Sequence, residues 1–520
     1  MGEDKVVVIG AGIGGLVAAA LLAARGLDVT VLESAAHPGG KMRNVSAGGA
    51  SIEAGPTVFT MRHLFEEIFD EAGSSFASHI TTTRATTLAR HSWAEGDTLD
   101  LHADHAESRD AIGRFAGAAE ARGFDAFSAE AARIHATLYG SFMRRPRTSP
   151  IGLTWRLGLS RLAELQATRP YETLWSALGG HFRDPRLMQL FGRYATYCGS
   201  SPFKAPATLM LIAHVEASGV WLVEGGLQRI AQALADVAHF HGARFRYNTN
   251  VAAILTQSGR AAGVALDCGE QIAADSIIAN ADPSALADGR FGKAAMRACR
   301  TLKPPARSLS ALTWAVLADT GGAPLQRHNI VFSEDYAREF ADLANGRLPG
   351  SPSVYVCAQD RNAQGFAPRG PERLQIIVNA PPRGDAPDSL TQTEIDTCET
   401  RMLSFLQRSG LCVRWKPEAR VLTTPADYES RFPSTGGALY GRASHGWAAS
   451  FLRPGSKTRI PGLYLAGGAT HPGAGVPMAA LSGRLASHAL MQDRTSMRLF
   501  HPAAIAGGMS TPSATTATMV

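Results

Sequence analysis

Four glycines near the start of the sequence and one glutamate further along have the types and the spacing that bind a dinucleotide. The run from Gly10 to Gly15 reads Gly-Ala-Gly-Ile-Gly-Gly and satisfies the pattern G-x-G-x-x-G. In this pattern the first glycine permits a tight turn, the second lets the backbone approach a pyrophosphate, and the third lets a helix pack closely on a strand. Glu33 follows about 20 residues later, where a carboxylate can accept hydrogen bonds from ribose hydroxyls. The spacing therefore predicts a dinucleotide site.

The elements that must position these residues are readable on either side of them. The β-branched run from Lys5 to Gly10 predicts a strand, the Ala- and Leu-rich run from Leu16 to Arg25 a helix, and Val29 to Leu32 a second strand. Together they form one βαβ unit with a right-handed crossover. The amides at the N-terminus of the helix then face the phosphates.

A second group of residues separates FAD from NAD. The run Gly39-Gly-Lys41-x-Arg43 places two cations just after the second strand, where they can neutralise a diphosphate. Ordinary solvated surface charge is the alternative interpretation of both cations. A rigid turn follows at Glu53-Ala-Gly-Pro56-Thr57. Together with a Gly- and Pro-rich segment near the far end of the sequence, these residues favour FAD.

Composition excludes several classes of protein. Hydrophobic residues make up 45% and charged residues 18%, which is typical of a globular protein rather than a disordered or nucleic-acid-binding one. The six cysteines include no CxxC pair, which indicates a reduced intracellular protein without a zinc or iron–sulfur site. Glycines interrupt the first apolar stretch, so it does not read as an export signal. No stretch offers about 18 uninterrupted apolar residues, so a membrane would be touched rather than spanned.

The remaining sequence predicts an α/β nucleotide domain assembled from separate segments. The apolar runs Leu312–Leu317, Ser353–Ala358 and Leu374–Val378 predict strands of a second sheet, the expected floor of a substrate cavity. A strand at Gly462–Ala466 precedes a turn and a helix from Ala479 onward. We predict a Rossmann-like FAD-binding domain from residues 1–75, 220–285 and 455–495, an α+β substrate-binding domain from 76–100 and 286–454, a helical insertion over 101–219, and a disordered tail over 496–520.

Three longer runs match a known family of flavoproteins. They are the run from Lys5 to Thr60, the run Val220-Trp-x-Val-Glu-Gly-Gly226, and the run Leu463-Tyr-Leu-Ala-Gly-Gly-Ala-Thr-His-Pro-Gly-Ala-Gly-Val-Pro477. They resemble the bacterial carotenoid desaturases, whose FAD domain is of the amine-oxidase-like type. Within that family, Phe191-Gly-Arg-Tyr-Ala-Thr-Tyr197 and Thr60-Met-Arg62 are most similar to the 1-hydroxycarotenoid 3,4-desaturases, which act on hydroxyneurosporene and methoxyneurosporene. The likeness extends from Lys5 to about Leu490.

The resemblance implies where FAD binds. Gly10 to Gly15 and Glu33 would hold the ADP moiety, Val251 would flank the adenine, and the segment from Gly467 to Met478 would close over the ribityl chain and the isoalloxazine. The residues implied for the cofactor site are Gly10, Gly12, Ile13, Gly14, Gly15, Glu33, Lys41, Arg43, Pro56, Thr57, Val58, Val251, Gly467, Gly468, Gly475, Val476, Pro477 and Met478. Many related flavoproteins carry an acidic residue where this chain has Gly468, which predicts weaker retention of the flavin.

The resemblance also implies a reaction, the introduction of a C3–C4 double bond into an acyclic 1-hydroxy- or 1-methoxycarotenoid. Loss of a hydride from C4 to the flavin leaves a cation delocalised over the polyene, so the C3 proton becomes acidic and a strong base is less necessary. Glu216 is the best ionisable candidate for a proton acceptor or a hydroxyl anchor. A structural glutamate is the alternative interpretation. Oxygen and quinone both remain open as the final electron acceptor.

The insoluble carotenoid implies contact with a membrane surface. The segment from Phe142 to Leu159 mixes arginines with Trp155 and aliphatic residues, which suits an anionic interface, although a solvated helix has a similar composition. We expect a cytoplasmic protein associated peripherally with the inner, photosynthetic membrane. The alternative functions are a phytoene desaturase, another amine-oxidase-like flavoprotein, and a prenyl-lipid escort protein without redox chemistry.

Overall fold

Runs of short strands and runs of mostly short helices follow one another along the chain. A computed structural model describes residues 4–94, 96–158, 162–366 and 369–500. Its strands, in chain order, are β1 (Lys5–Ile9), β2 (Asp28–Leu32), β3 (Asn44–Ala47), β4 (Ala50–Glu53), β5 (Thr82–Arg84), β6 (Thr87–Ser92), β7 (Thr98–His102), β8 (Trp221–Val223), β9 (Arg244–Arg246), β10 (Val251–Gln257), β11 (Arg260–Leu266), β12 (Gln271–Ala273), β13 (Ser276–Ala279), β14 (Ser310–Gly322), β15 (His328–Val331), β16 (Val354–Ala358), β17 (Glu372–Ala380), β18 (Leu411–Thr423) and β19 (Leu463–Leu465).

The helices are concentrated between β7 and β8. In chain order they are α1 (Ile13–Ala23), α2 (Arg62–Glu71), α3 (Phe76–His79), α4 (His105–Ala116), α5 (Ala118–Leu138), α6 (Pro150–Leu157), α7 (Leu162–Gln166), α8 (Leu174–Gly179), α9 (Pro185–Gly192), α10 (Leu211–Ala217), α11 (Gln228–Phe240), α12 (Pro283–Ala287), α13 (Tyr336–Ala344), α14 (Gln392–Arg408), α15 (Pro425–Arg431), α16 (Ala449–Leu452) and α17 (Val476–Phe500). A π-helical turn at Tyr139–Met143 and a 3-10 helix at Arg193–Cys198 belong to the same helical region.

A five-stranded parallel sheet carries the glycine-rich turn. Its strand order is β19-β13-β1-β2-β9, and every pair of neighbours is parallel. On β1, Val6 and Val8 pack against the helices α1, α11 and α17, whereas Val7 and Ile9 pack against the antiparallel sheet β10-β11-β12. Because both faces are covered, these strands read as continuous apolar runs. The predicted α/β class, with a Rossmann-like domain built from separate segments, is confirmed.

A larger sheet forms the second half of the molecule. Its order is β18-β14-β17-β16-β15-β6-β7, in which β15 pairs with β6 in parallel and the other neighbours are antiparallel. The strands predicted over 312–317, 353–358 and 374–378 are confirmed as parts of β14, β16 and β17. One face of this sheet is apolar and packs against α14, with Trp314 fully buried between them. The other face turns toward residues 53–57 of the first half.

The helical region over 105–217 packs its own aromatic core against the edge of the larger sheet. Phe127, Phe182 and Phe191 lie at its centre, and Ile330 and Phe332 join them from β15 and the residue after it.

The last helix differs from the predicted bounds at both ends. α17 begins at Val476 rather than Ala479, since a proline at its second position is tolerated in a first helical turn. It also runs to Phe500, past the start of the predicted tail, whose remainder lies outside the described residues.

Candidate functional site

The glycine-rich turn is closed by contacts that leave no room for side chains. Gly10 adopts a φ of +91° and its N–H donates to the carbonyl of Leu32 at 2.8 Å. A Cβ added to Gly15 would lie 2.2 Å from the carbonyl oxygen of Gly10. The first turn of α1, which begins at Ile13, therefore packs directly on the end of β1. A helix N-terminus is a position where backbone amides can bind a phosphate.

Asn280 completes this turn and was not predicted from the sequence. Its Nδ2 donates to the carbonyl of Gly10 at 3.2 Å. A Cβ on Gly12 would lie 2.8 Å from the same nitrogen, and a Cβ on Gly14 would lie 2.8 Å from the amide nitrogen of Gly467. Asn280 follows β13, the parallel neighbour of β1, and ligands bind at the carboxyl ends of such strands. The sequence signals only a polar residue directly after a predicted strand, and the pairing of β13 with β1 is what brings it to the turn.

Glu33 holds the same turn from the other side. Its Oε2 accepts the N–H of Ala11 at 2.6 Å and its Oε1 accepts the N–H of Ala35 at 2.8 Å. Oε1 also accepts the hydroxyl proton of Ser34 at 3.3 Å, so the buried carboxylate just after β2 keeps one further lone pair, on Oε2, for a ribose hydroxyl. Val251, the residue predicted to flank the adenine, is buried at the start of β10 in the core that also contains Leu32.

The second glycine pair lies against the first. The N–H of Gly39 donates to the carbonyl of Ala11 at 2.8 Å, and a Cβ on Gly40 would lie 3.2 Å from the Cα of Gly12. The two cations that follow hydrogen-bond to residues near the far end of the chain. Lys41 Nζ donates to the carbonyl of Leu439 at 2.6 Å, and Arg43 donates to Thr423 Oγ1 at 2.9 Å. Neither side chain is a free surface charge, and burial lowers the pKa of Lys41. Their diphosphate role stays a prediction.

The turn at Pro56-Thr57-Val58 meets the larger sheet. Tyr355 on β16 donates its hydroxyl proton to Thr57 Oγ1 at 2.7 Å, and Gln375 Nε2 on β17 donates to the carbonyl of Gly55 at 2.9 Å. Val58 packs against the core of the helical region. Three parts of the chain that are distant in sequence therefore converge at this turn.

The closing segment bridges the two halves. The N–H of Gly467 donates to Ser482 Oγ at 2.7 Å, and Gly475, with a φ of +100°, leads into α17, whose first turn contains Val476, Pro477 and Met478. His471 Nε2 donates to the carbonyls of Phe142 at 3.1 Å and Arg145 at 2.9 Å. Because both partners are carbonyls, the proton is on Nε2 and Nδ1 is an acceptor.

The residues fit FAD by two criteria. The first is the cradle at Gly10 to Gly15, where added Cβ atoms would collide with neighbouring backbone. The second is a pair of buried acceptors, His471 Nδ1 and Gln375 Oε1, that have no hydrogen-bond partner among the described residues. Buried acceptors of this kind are ordinarily paired, so a bound group with donors would satisfy them. Both lie on segments that contact the predicted cofactor residues.

Glu216 is buried, and three neighbouring side chains donate hydrogen bonds to its carboxylate. Its carboxylate is 3% exposed and accepts hydrogen bonds from Arg193 Nη2 at 3.1 Å, Tyr194 Oη at 2.5 Å and Tyr197 Oη at 2.6 Å. Arg193 is itself buried and donates from Nε to His91 Nε2 at 3.1 Å. The two oxygens of Glu216 are therefore already engaged by a buried cation and two phenol hydroxyls. Its catalytic role stays a prediction that this arrangement does not favour.

Comparison with known proteins gives matches over most of the chain. A family model described as flavin containing amine oxidoreductase matches residues 13–491. A hydroxyneurosporene desaturase of Rubrivivax gelatinosus is 50% identical over 99% of this chain and 98% of that protein. Another from Cereibacter sphaeroides is 44% identical over 95% of this chain and 98% of that protein. A 1-hydroxycarotenoid 3,4-desaturase of a Flavobacterium species is 30% identical over 92% of this chain and 98% of that protein.

A solved structure shows the same fold at lower sequence identity. An oxidoreductase from Methanosarcina mazei superposes with a TM-score of 0.58 at 18% identity, covering 94% of this chain and 100% of that one. This similarity is evidence for the fold alone. The family match supplies the cofactor, FAD.

Gly468 is the position where retention of FAD can be improved. Its backbone lies outside the left-handed region, and the nearest atom to an added Cβ, that of Ala479, is 3.9 Å away. We expect Gly468→Asp to lower the dissociation constant of FAD about tenfold, since one hydrogen bond to a charged group contributes about 1.5 kcal/mol. Flavin absorbance per protein after gel filtration measures the effect.

The neighbouring glycine provides the control for this substitution. Gly467 has a φ of +112°, and a Cβ there would lie 3.1 Å from Asn280 Oδ1, so Gly467→Asp should lower flavin content and stability. Equal flavin content in Gly468→Asp and the unchanged protein would contradict the prediction.

The Arg193–Glu216 pair makes a prediction about stability. Glu216→Gln should lower the free energy of unfolding by about 3–5 kcal/mol, because Arg193 would remain buried and charged without its partner. Denaturant unfolding measures this loss. Glu120→Gln is the control, because Glu120 is also buried in the helical region but accepts from the backbone N–H of Arg183. A stable Glu216→Gln protein with a reduced desaturation rate would instead indicate a proton acceptor.

Proposed function

Because the chain belongs to the family of flavin containing amine oxidoreductases, we propose that it is an FAD-dependent carotenoid desaturase. The proposed reaction introduces a C3–C4 double bond into an acyclic 1-hydroxy- or 1-methoxycarotenoid. The observation that carries the proposal is the 50% identity, over 99% of this chain, with a protein named hydroxyneurosporene desaturase. The intact glycine cradle, Glu33 and the closing segment support a redox enzyme rather than an escort protein.

The reaction removes a hydride from C4 and a proton from C3, and the two electrons left on carbon form the new double bond. FAD, when bound, supplies the acceptor for the hydride. Hydride loss leaves a cation spread over the polyene, so the C3 proton needs only a weak acceptor. The protein's task is then to hold the chain in place and to exclude water. The sheet face that carries Tyr355 and Gln375 supports this proposal, because Tyr355 packs against the core of the helical region and both side chains hydrogen-bond to the turn at residues 55–57.

Product analysis tests the reaction directly. The FAD-loaded enzyme, incubated with a 1-hydroxycarotenoid, should give a product with one more conjugated double bond and a red-shifted absorption band. Parallel reactions with oxygen, and with a quinone in its absence, identify the electron acceptor. Colour formed from phytoene, or oxidation of an amine without any change in the carotenoid, would contradict the proposed substrate.

We also propose that the enzyme binds the surface of the inner membrane on its cytoplasmic side. None of the helices in the described ranges combines the length and apolar composition that a bilayer crossing requires. On α6, Ile151 and Trp155 are 72% and 76% exposed, while Leu153 on the same helix packs inward. Three exposed arginines, Arg145, Arg147 and Arg156, flank this face.

A second segment continues the same exposed surface. Trp447 lies with its ring 5.6 Å from that of the exposed Tyr171 and 6.5 Å from that of Phe451, which packs against the core beneath α6. Leu452 is 54% exposed. Aromatic and aliphatic side chains beside arginines are typical of a surface that inserts into an anionic interface. Leu159, the end of the predicted segment, lies outside the described residues.

Replacing the exposed apolar side chains of this surface with negatively charged ones tests membrane binding. Ile151→Asp combined with Trp155→Asp should reduce binding to vesicles that contain anionic lipid at least about tenfold, because each buried apolar side chain contributes about 1.5–3 kcal/mol. Co-sedimentation measures the bound fraction. Phe240→Asp is the control, since Phe240 is 82% exposed on α11 and should leave binding intact. Unchanged binding of the double variant would refute the proposed surface.

A further inference from the structure

The larger sheet carries a row of polar residues on the face that meets the turn at residues 55–57. Cys357 on β16 lies directly opposite His328 on β15 and also directly opposite Gln375 on β17. Residues directly opposite each other in antiparallel strands point to the same face. Tyr355 lies two positions before Cys357 and shares that face, and its hydroxyl donates to Thr57. The row is therefore directed toward the predicted flavin site.

The hydrogen bonds of Tyr355 determine the protonation of His328. Tyr355 donates its single hydroxyl proton to Thr57 Oγ1 at 2.7 Å. Since that proton is used, His328 Nδ1 must carry a proton and donate it to Tyr355 Oη, which lies 2.7 Å away. Burial, with the charges of Arg327 and Arg193, lowers the pKa of His328 to about 3, so the ring is neutral. Nε2 is consequently a hydrogen-bond acceptor.

This acceptor has no partner in the described part of the chain. His328 is 2% exposed, and Nε2 makes no hydrogen bond. The nearby Arg193–Glu216 cluster differs, because both oxygens of Glu216 accept hydrogen bonds and His91 Nε2 accepts from Arg193. A buried polar atom without a partner costs stability, so proteins retain few of them. A cluster whose polar atoms are all hydrogen-bonded stabilises the fold. A buried acceptor without a partner beside a proposed ligand site instead indicates that the ligand supplies the missing donor.

We propose that His328 binds the terminal hydroxyl of a 1-hydroxycarotenoid by accepting its proton in a hydrogen bond at Nε2. The inference rests on the proposed function and adds to it a residue that determines specificity. The hydroxyl is carried by C1, three bonds from C4, so one hydrogen bond to it also locates the C3–C4 bond. Thr57 and Tyr355 connect this anchor to the predicted flavin residues in two hydrogen bonds.

The proposed anchor has a consequence for substrate choice. An acceptor pairs with a hydroxyl, but it cannot pair with a methoxyl oxygen, which has no proton. A carotenoid without the terminal oxygen would likewise leave Nε2 unpaired, and such sites reject the analogue that lacks the hydroxyl. The unchanged enzyme should therefore desaturate the hydroxylated substrate with a higher kcat/KM than either the methoxylated substrate or the parent hydrocarbon.

Two substitutions of His328 separate the anchor from a structural role. His328→Asn retains a polar atom near the position of Nδ1, where Tyr355 lies, but loses Nε2. His328→Gln places a polar atom near the position of Nε2 and loses the one at Nδ1. We expect His328→Asn to lower kcat/KM for the hydroxylated substrate about 10- to 100-fold and to abolish the preference over the hydrocarbon, whereas His328→Gln keeps most of it. A structural role would reverse this order.

The measurement uses the FAD-loaded full chain with three substrates: a 1-hydroxycarotenoid, its 1-methoxy analogue and the parent hydrocarbon. His91→Gln is the matched control, since His91 is a buried histidine with partners at both nitrogens and should change stability without changing the preference. Equal preferences in the Asn and Gln variants, or loss of FAD from His328→Asn, would overturn the anchor. Absence of desaturation of all three substrates by the unchanged enzyme would refute the proposed function instead.

Discussion

The start of α1 can approach the end of β1 only because no side chain stands between them. Gly15 would place a Cβ 2.2 Å from the carbonyl of Gly10, which is far inside contact distance. Asn280 and Gly467 occupy the space that side chains on Gly12 and Gly14 would take. The parallel sheet, the closing segment and the first turn of α1 therefore meet at one point. Any larger residue there would separate elements that come from opposite ends of the chain.

Around this point every polar atom of some buried groups has a hydrogen-bond partner within the fold, whereas other groups have an atom without a partner. The carboxylates of Glu33 and Glu216 both accept several hydrogen bonds, and each holds neighbouring segments in place. His328, Gln375 and His471 each retain one buried atom without a partner in the described residues. All three lie where the larger sheet or the closing segment faces the turn at residues 55–57 or the helical region. In our proposal these three atoms would face the cofactor or the substrate.

The helical region connects that surface to the outside of the molecule. His471 bonds the closing segment to the carbonyls of Phe142 and Arg145, at the start of the segment that exposes Trp155. An apolar substrate taken from a bilayer would enter beside the same residues that hold the closing segment. In our proposal the membrane would contact α6, and the cofactor would lie beside the closing segment, which His471 ties to residues just before α6. The exposed aromatic surface and the polar sheet face thus belong to one proposed route.

The sequence alone determined the βαβ unit, the glycine turn, Glu33, the helical region and the class of cofactor, because these features depend on local spacing and on runs of one residue type. It could not determine the hydrogen-bond partners of Lys41 and Glu216. These partners, Leu439 and Arg193, are brought beside them by the packing of separate segments. Asn280 and His328 escaped prediction for the same reason: neither belongs to a local motif. Only the register of the strands around them brings each side chain to the site.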